Sequence, residues 1–347
     1  MRRSVVAWLV AALSAATLVV VGSPFAGATP AYAPLDRPGP SLSVPAATLR
    51  AALTCSGDFT HTSAEPVLLN PATAVTPAQN YSWNYERAFT AQGRPWCAIT
   101  MPFHTLGDIQ TAGEYLVYAI RTEYAMAHRR IAILGHSQGG MSMRWALRFW
   151  PDTRAMVDDV IGMAPDNHGT VLVGPACQPG RTTCVAAQWQ QSDQAAFIAA
   201  LNSGSETFAG ISYTEIFSNT DEVVVPHSSS ALKAGPGQVT TVATQQICPL
   251  DVYEHLLIGT VDPVTYALVM DALTHSGPAV RSRISPLVCL ETYQPGVDPL
   301  NAQNYIQMLS ALPNLLFVPV PFANLVGAPE LAAEPALKCY VFAAGCP

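Results

Sequence analysis

The most informative motif in the sequence is a serine in a glycine-rich stretch. Residues 135–140, Gly-His-Ser-Gln-Gly-Gly, follow a short apolar run at 131–134 and precede a run with helical spacing at 141–149. Where a chain doubles back from a strand into a helix, glycines leave the room that the sharp turn needs. We interpret this stretch as a nucleophile elbow that presents the hydroxyl of Ser137.

Asp221 is the predicted acid partner of this serine. A serine hydroxyl is a weak nucleophile at neutral pH, so Ser137 requires a histidine base and an acid that orients the imidazole. After an elbow of this kind, the acid and then the histidine follow in the chain. Asp221 comes after the predicted strand 213–217 and a short loop. Its neighbour Glu222 is the competing candidate.

Three histidines lie downstream of this acid and compete for the role of base. His227 is too near Asp221 in sequence to be an easy choice, and His275 falls within an apparent helix. His255 follows the predicted strand 239–247 and a Cys-Pro turn. We therefore predict His255 as the base.

The negative oxygen that forms during acyl transfer needs donors held in place beforehand. One predicted donor is the backbone N–H of Gln138, and the other comes from the loop after the strand 66–70. Thr73 lies in that loop, and its hydroxyl would add a third donor. The alternative is that Thr73 only stabilises a turn.

Strands and helices alternate along the chain around these residues. The alternation predicts an α/β fold with a mainly parallel central sheet covered by helices on both faces. Asp108 is available to cap the first long helix. The predicted strands are 66–70, 97–100, 131–134, 157–164, 213–217 and 239–247, and the predicted helices are 108–128, 141–149 and 191–201.

Composition indicates a large buried core and gives no sign of nucleic-acid binding. Of the 347 residues, 50% are hydrophobic and 12% are charged, and the formal net charge is −7. A chain of this length suits one large domain or two smaller ones. No run of basic residues interleaved with aromatics is present, so we expect no nucleic-acid partner.

The N-terminus predicts export. Met-Arg-Arg precedes an apolar run at 5–21, which is typical of a secretory signal peptide. We expect residues 1–28 to be removed after Ala28, because cleavage after Ala33 would place Pro34 next to the cut. An uncleaved anchor is disfavoured because the run is short for a bilayer-spanning helix. We expect no later segment to be long enough to span a membrane.

The remaining chain is interpreted as an arm followed by one domain. Residues 29–48 are rich in proline and small residues and predict an extended N-terminal arm. Residues 49–347 predict a single domain with a C-terminal flank from about 290. That flank contains a candidate helix at 301–312 and an apolar stretch at 315–325. We interpret it as a cap over the substrate mouth, the alternative being a layer that completes the core.

The cysteine count is even, which in an exported chain predicts disulfides. Spacing alone leaves about 105 ways of pairing eight cysteines. A metal site is not indicated, because no C-x-x-C occurs and the histidines are scattered. The eight are Cys55, Cys97, Cys177, Cys184, Cys248, Cys289, Cys339 and Cys346.

From about residue 49 onward the chain resembles the family of Candida antarctica lipase B. The resemblance depends on several short stretches that occur in the same order, and it is thin beyond about residue 301. The stretches are Ala52-Leu53-Thr54-Cys55, Pro71-x-Thr73, Glu114-Tyr115, Ser137-Gln138-Gly139-Gly140, Ala164-Pro165-Asp166, Gly169-Thr170-Val171-Leu172, Trp189-Gln190-Gln191, Thr220-Asp221-Glu222 and the region of His255.

The resemblance implies a secreted lipase with the α/β-hydrolase fold that needs no cofactor or metal. It implies the same triad and oxyanion hole as the reasoning above. It also implies a lipid or small ester substrate, transient contact with a lipid interface and a monomeric state. By position it implies Asp166 and Gln191 as polar residues of the acyl pocket, Val223 and Val224 as its apolar wall, and disulfides Cys55–Cys97, Cys248–Cys289 and Cys339–Cys346.

The chain departs from the family prototype at three places. His136 stands where the prototype has a tryptophan that floors the alcohol pocket, so we hypothesise a roomier, more polar alcohol site. Ala72 and Ala74 replace two glycines of the oxyanion loop, which requires both to adopt negative φ. Two cysteines without a counterpart, Cys177 and Cys184, are hypothesised to pair and to stiffen the rim of the acyl channel.

Together these features predict a secreted serine esterase of the lipase type. It would hydrolyse carboxylic esters, such as acylglycerols, through an acyl-enzyme on Ser137. An extracellular acyltransferase would use the same triad and remains the first alternative. A non-catalytic lipid- or wall-binding protein on the same scaffold is the second, but such proteins usually lack a triad member. A peptidase or polyester hydrolase also fits the architecture.

Overall fold

The computed structural model describes residues 31–60, 62–300 and 326–346. The predicted signal peptide, the candidate helix 301–312 and the apolar stretch 315–325 lie outside the described residues.

Within the described part of the chain, seven strands form the central sheet, in the order β1-β3-β2-β4-β5-β7-β8. β1 runs antiparallel to β3, and the other neighbours are parallel. A second, two-stranded sheet pairs β6 with β9. The strands are β1 Leu53–Cys55, β2 Val67–Asn70, β3 Trp96–Ile99, β4 Ile131–His136, β5 Val157–Met163, β6 Cys184–Val185, β7 Ser212–Phe217, β8 Gln238–Ala243 and β9 Glu330–Leu331.

Helices cover both faces of this sheet because successive strand residues point to opposite sides. Leu68 and Ile133 pack with the helices α4 and α5 in one core cluster, whereas Val67 and Leu134 pack with α3 and α10 in another. The helices are α1 Ala46–Ala51, α2 Pro77–Tyr81, α3 Tyr85–Ala91, α4 Ile109–Ala127, α5 Gln138–Phe149, α6 Val173–Ala176, α7 Ala186–Gln190, α8 Ala196–Leu201, α9 His255–Ile258 and α10 Pro263–Thr274.

The predicted α/β fold is confirmed, and the strands that carry the site lie close to their predicted positions. Asp108 caps α4 as expected, since its Oδ1 accepts a hydrogen bond of 3.0 Å from the backbone N–H of Gln110. Because the parallel strands point the same way, their carboxyl ends meet along one edge of the sheet. The predicted serine, acid and histidine all follow strand ends at that edge.

Two predicted elements have different bounds in the structure. The helix expected over 191–201 forms only as α8, Ala196–Leu201. The residues before it make a turn in which the hydroxyl of Ser192 accepts from the N–H of Gln194. The strand expected over 239–247 ends at Ala243. The side chain of Gln246 bonds the N–H of Ala243 there and begins a turn.

One later segment is long and apolar enough to cross a membrane, which differs from the expectation that none would be. Residues His255–Thr274 reach a mean hydropathy of 1.5 in a window long enough to cross a bilayer. The stretch comprises α9 and α10, and 83% of that window is buried inside the protein. Its hydropathy therefore reflects a place in the core, where α10 packs against the sheet.

The two ends of the described chain are held to each other. The guanidinium of Arg37 donates to the carbonyls of Phe342 and Ala343 at 2.7 and 2.6 Å. The backbone N–H of Ala33 bonds the carbonyl of Val341 at 2.8 Å. The N-terminal arm thus lies along the C-terminal segment before α1 begins.

Four disulfides join the eight cysteines. Cys55–Cys97 links β1 to β3, and Cys177–Cys184 closes the loop between α6 and β6. These pairs agree with the pairing that the resemblance implied and with the pair hypothesised in addition. The other two disulfides are Cys248–Cys289 and Cys339–Cys346.

Candidate active site

Ser137 lies in a sharp turn between β4 and α5. Its φ of 54° and ψ of −128° are unusual for a residue with a side chain, so the turn is strained. A Cβ on Gly139 would overlap the carbonyl oxygen of Asn70, and one on Gly135 would overlap the backbone of Gly139. The two glycines of the motif are therefore needed for the close approach of β4, α5 and the β2 loop.

Ser137, His255 and Asp221 form a hydrogen-bonded chain. Oγ of Ser137 lies 2.9 Å from Nε2 of His255, and Nδ1 of His255 lies 2.8 Å from Oδ2 of Asp221. Oδ1 of Asp221 accepts the backbone N–H groups of Val223 and Val224 at 2.8 and 2.9 Å. All three side chains are buried, and the acid is held from both of its oxygens.

Electrostatics among these three side chains favour an ionised acid beside a basic imidazole. Burial alone would raise the pKa of Asp221. The charge and hydrogen bond of His255, together with the N–H groups of Val223 and Val224, outweigh burial and hold that pKa below its usual range. Burial alone would lower the pKa of His255. Asp221, with smaller contributions from the charges of Glu222 and Glu254, outweighs burial and raises that pKa above its usual value. The imidazole is thus suited to accept a proton.

The competing candidates lie outside this chain of bonds. Nε2 of His227 lies 2.8 Å from the backbone carbonyl oxygen of Asp221. A carbonyl only accepts hydrogen bonds, so Nε2 of His227 carries a proton and donates it. His275 follows the end of α10 and pairs with Asp271. Glu222 faces the backbone N–H of His255 at 3.5 Å and does not reach the imidazole through a hydrogen bond.

Thr73 lies beside Ser137 in the same cavity and faces two carboxamide oxygens. Its hydroxyl is 2.8 Å from Oε1 of Gln138 and 3.0 Å from Oε1 of Gln191. Among the residues that the structure describes, neither the N–H of Thr73 nor that of Gln138 has a protein acceptor. The N–H of Gln138 also belongs to the first turn of α5, where the helix dipole favours negative charge.

The expectation that Ala72 and Ala74 both adopt negative φ is wrong for Ala74. Ala74 has a φ of 64°. This conformation turns its backbone N–H onto the hydroxyl of Thr105 at 2.8 Å. The tertiary bond stabilises a backbone that glycine would adopt at lower cost, and Thr73 keeps its place beside the serine.

A cavity opens above Ser137 and has a mainly apolar wall. Gln191 and Val223, both predicted as substrate-binding residues, line it. Six lining residues were not singled out as pocket residues from the sequence. Thr170 and Leu172 belong to the Gly-Thr-Val-Leu stretch, which is the signal that pointed to this wall. The six are Ala72, Thr170, Leu172, Val173, Gln188 and Leu256.

Three predicted pocket residues are not part of that lining. Val224 is buried, and its N–H is committed to Asp221. Asp166 is buried, and among the described residues no other side chain or backbone group bonds either oxygen of its carboxyl group. Burial raises its pKa to about 7. His136 is fully buried behind His255 and does not line this cavity. The hypothesis of a roomier, more polar alcohol site stays a prediction.

The rim of the cavity is tied to a disulfide. Val173, which lines the cavity, begins α6, and Cys177 follows the end of that helix. The bond to Cys184 joins this rim to β6, which pairs with the C-terminal strand β9. The indole of Trp189 bonds the carbonyl of Leu331 at 3.0 Å and packs on the disulfide. The disulfide thus holds the rim to β6, and hydrogen bonds hold β6 and Trp189 to the C-terminal segment.

Comparison with known proteins identifies similar chains. Lipase B of Pseudozyma antarctica is 31% identical over 316 residues, which is 88% of this chain and 88% of that protein. No family model matches the chain.

Solved structures show the same fold. The crystal structure of Aspergillus fumigatus lipase B is 30% identical, with a TM-score of 0.76, over 88% of this chain and 74% of that one. The mature lipase BlEst2 of Bacillus licheniformis is 15% identical, with a TM-score of 0.51, over 64% of this chain and 98% of that one, and shows a likeness of fold alone.

Proposed function

Because this chain belongs to the lipase B family and is a carboxylic-ester hydrolase of the lipase type, we propose that it hydrolyses lipid esters through an acyl-enzyme on Ser137. The observation that supports this mechanism best is the bonded chain from Oγ of Ser137 through His255 to Asp221. A carboxylate that bonds an imidazole, which in turn bonds a serine hydroxyl, is the arrangement by which serine hydrolases activate the nucleophile for acyl transfer.

In the first half-reaction, Oγ of Ser137 attacks the ester carbonyl while Nε2 of His255 takes its proton. Asp221 keeps the other nitrogen protonated and stabilises the imidazolium that forms. The carbonyl oxygen becomes negative and is stabilised by the N–H groups of Gln138 and Thr73. The imidazolium then gives its proton to the leaving alcohol, and the acyl group stays on Ser137.

In the second half-reaction, water takes the place of the alcohol. His255 removes a proton from the water, the resulting nucleophile attacks the acyl carbonyl, and the proton returns to Oγ of Ser137. The same donors stabilise the second negative oxygen. The products are a carboxylic acid, the alcohol released earlier and the regenerated enzyme, so no cofactor takes part.

An acyl chain is proposed to occupy the cavity above Ser137. Leu172, Val173, Val223 and Leu256 supply an apolar wall, and Gln191 supplies a polar group beside the carbonyl end. Apolar walls with a few placed polar groups are typical of sites that bind small apolar molecules. This supports acylglycerols or similar lipid esters as the substrate class.

An exposed apolar patch supports transient contact with a lipid interface. Leu250 and Val252 are 91% and 71% exposed, and Leu287 and Leu290 are 68% and 80% exposed. The disulfide Cys248–Cys289 brings the two segments together, and Leu250 lies in the loop that leads to His255. Exposed clusters of this kind mark surfaces that contact apolar partners.

We further propose that the protein is secreted after removal of residues 1–28 and acts as a monomer. The four disulfides support an oxidising compartment. In this proposal residues 29–48 are an arm and residues 49–347 one domain. N-terminal sequencing of the exported protein tests the cleavage, and a first residue other than Thr29 would reject this site.

The proposal is tested with p-nitrophenyl esters from acetate to palmitate, comparing the mature protein with Ser137→Ala. We expect hydrolysis by the wild type and none by a folded variant. Equal activity in both would reject Ser137 as the nucleophile. A competing alcohol added to the assay separates hydrolysis from the acyltransferase alternative, which predicts ester transfer in water. A folded wild type that binds esters without turnover would favour the non-catalytic alternative.

A further inference from the structure

His136 lies behind the proposed base and contacts its backbone. Nε2 of His136 is 2.8 Å from the carbonyl oxygen of His255, and the two ring centroids are 5.5 Å apart. A carbonyl oxygen only accepts hydrogen bonds, so Nε2 of His136 carries the proton and donates it. The other nitrogen, Nδ1, is then unprotonated and requires a donor.

Asn80 supplies that donor and also holds the oxyanion loop. Its Oδ1 accepts the backbone N–H of Ala72 at 2.9 Å, which assigns the orientation of the carboxamide. Nδ2 of Asn80 then faces Nδ1 of His136 at 3.3 Å. Asn80 and His136 are both fully buried, so water does not compete for these hydrogen bonds.

The carbonyl of His255 needs an external donor because α9 is a single short turn. In a regular α-helix the N–H of Gly259 would bond this carbonyl, but here it bonds the carbonyl of Leu257. His136 takes the place of the missing donor. A Cβ on Gly259 would overlap the imidazole of His136, so glycine at this position permits the approach.

The hydrogen bonds of His136 do not change with pH around neutrality. Burial, with a further contribution from the charge of His255, lowers the pKa of His136 to about 3. The ring therefore stays neutral, with one nitrogen donating and the other accepting.

We propose that Asn80 and His136 form a positioning relay that holds the loop of Ala72 and Thr73 in register with the backbone of His255. The relay joins the two sides of the proposed site, since one end carries oxyanion donors and the other carries the base. Both groups must meet the same substrate carbonyl, and a displacement of 1 Å in such a site costs up to about 100-fold in rate. The inference depends on the proposed triad.

The relay is tested first by replacing His136 with residues of similar volume. His136→Phe removes both bonds, and we expect kcat to fall about 10- to 100-fold while KM stays within about two-fold. In His136→Gln the side-chain amide offers a donor toward the same carbonyl. We expect this variant to recover kcat to within about five-fold of the wild type.

Two controls separate positioning from general destabilisation and from failure of the triad. Thr153→Val removes a buried hydroxyl that bonds the carbonyl of Trp150 beyond the far end of α5, and we expect it to leave kcat unchanged. Ser137→Ala tests the proposed function itself. If that variant is inactive while folded His136→Phe matches the wild type, the relay is wrong and the function stands. If Ser137→Ala is active, the proposed function fails.

A measurement on the wild type covers the case in which His136→Phe does not fold. With 15N-labelled histidine, long-range proton–nitrogen spectra at pH 7 should show His136 as the neutral tautomer protonated at Nε2. The tautomer protonated at Nδ1, or an imidazolium, would overturn the relay. A value of kcat for His136→Gln no higher than for His136→Phe would also overturn it.

Discussion

The hydroxyl of Thr73 lies 2.8 Å from Oε1 of Gln138, the side chain of the residue that follows the proposed nucleophile. Nε2 of Gln138 bonds the carbonyl of Thr105 at 3.1 Å, which turns Oε1 toward the threonine. A hydroxyl has one proton, so in the free enzyme Thr73 donates it to an amide oxygen. It must rotate toward the substrate when the oxyanion forms.

Thr73→Val should therefore lower kcat about 10²- to 10³-fold with little change in KM, because an oxyanion donor acts mainly in the transition state. Thr73→Ser keeps a hydroxyl and should retain most of the activity. Steady-state kinetics on one soluble ester measure both. Equal losses in the two variants would show that the hydroxyl does not contribute.

The pH dependence of kcat/KM should follow the protonation of His255. The imidazole must be neutral to act as a base, and its pKa is raised, so activity should fall as pH drops through a value above 6.5. Asp221→Asn removes the charge that raises this pKa. Burial then dominates, and the acid limb should move to lower pH while kcat falls by about 10⁴.

Glu222→Gln serves as the comparison for that pH profile. The charge of Glu222 makes a smaller contribution to the raised pKa of His255, so its removal should shift the limb in the same direction but by less. Activity should be retained because Glu222 does not bond the imidazole. A large loss of kcat in Glu222→Gln with a small loss in Asp221→Asn would exchange the two assignments.

The disulfide Cys177–Cys184 should stabilise the fold and restrict movement of the cavity rim. Replacing both cysteines by serine should lower the free energy of unfolding by about 2 to 3 kcal/mol, from the entropy of a short loop. Because Val173 lines the cavity, the chain-length profile on p-nitrophenyl esters should broaden. Thermal melts and the ester series measure the two effects.

Cys339–Cys346 provides a matched control for this variant. Both disulfides span a sequence separation of 7, so their removal should cost a similar free energy. Cys339–Cys346 does not border the cavity and should leave the ester profile unchanged. The same broadening in both double variants would show that it results from lower stability.

Glu65 should make the fold less stable as pH rises. Burial, with contributions from the charges of Asp159 and Asp158, raises its pKa to about 9. Between about pH 5 and 9 the folded state then holds a proton that the unfolded state releases, so stability falls with increasing pH. Glu65→Gln should melt at a higher temperature than the wild type at pH 8 and show a flatter dependence on pH. Glu291→Gln, at an exposed site, should leave the curve unchanged.

The apolar patch should affect only substrates that are presented at an interface. Replacing Leu250 and Leu290 by serine should weaken binding to phosphatidylcholine vesicles and lower activity on emulsified triacylglycerol by several-fold. Hydrolysis of soluble p-nitrophenyl acetate serves as the control and should stay unchanged, because both residues are exposed outside the cavity. Unchanged vesicle binding would reject the patch as the contact surface.

The elbow, the order of strands and helices and the positions of Ser137, Asp221 and His255 could be predicted from the sequence. These features depend on local rules. A strand followed by a glycine-flanked turn and a helix specifies the corner, and Asp221 and His255 each follow a strand end. In a parallel sheet such ends lie at the same edge.

Only the tertiary structure decided the surroundings of His136 and the backbone conformation of Ala74. His136 and Ser137 are neighbours in sequence but face different surroundings, because successive residues at a strand end point to opposite sides. Ala74 adopts a left-handed backbone because of its bond to Thr105, which lies 31 positions away. Local sequence determines which elements form, but the partners of a buried side chain come from segments that are distant in the chain.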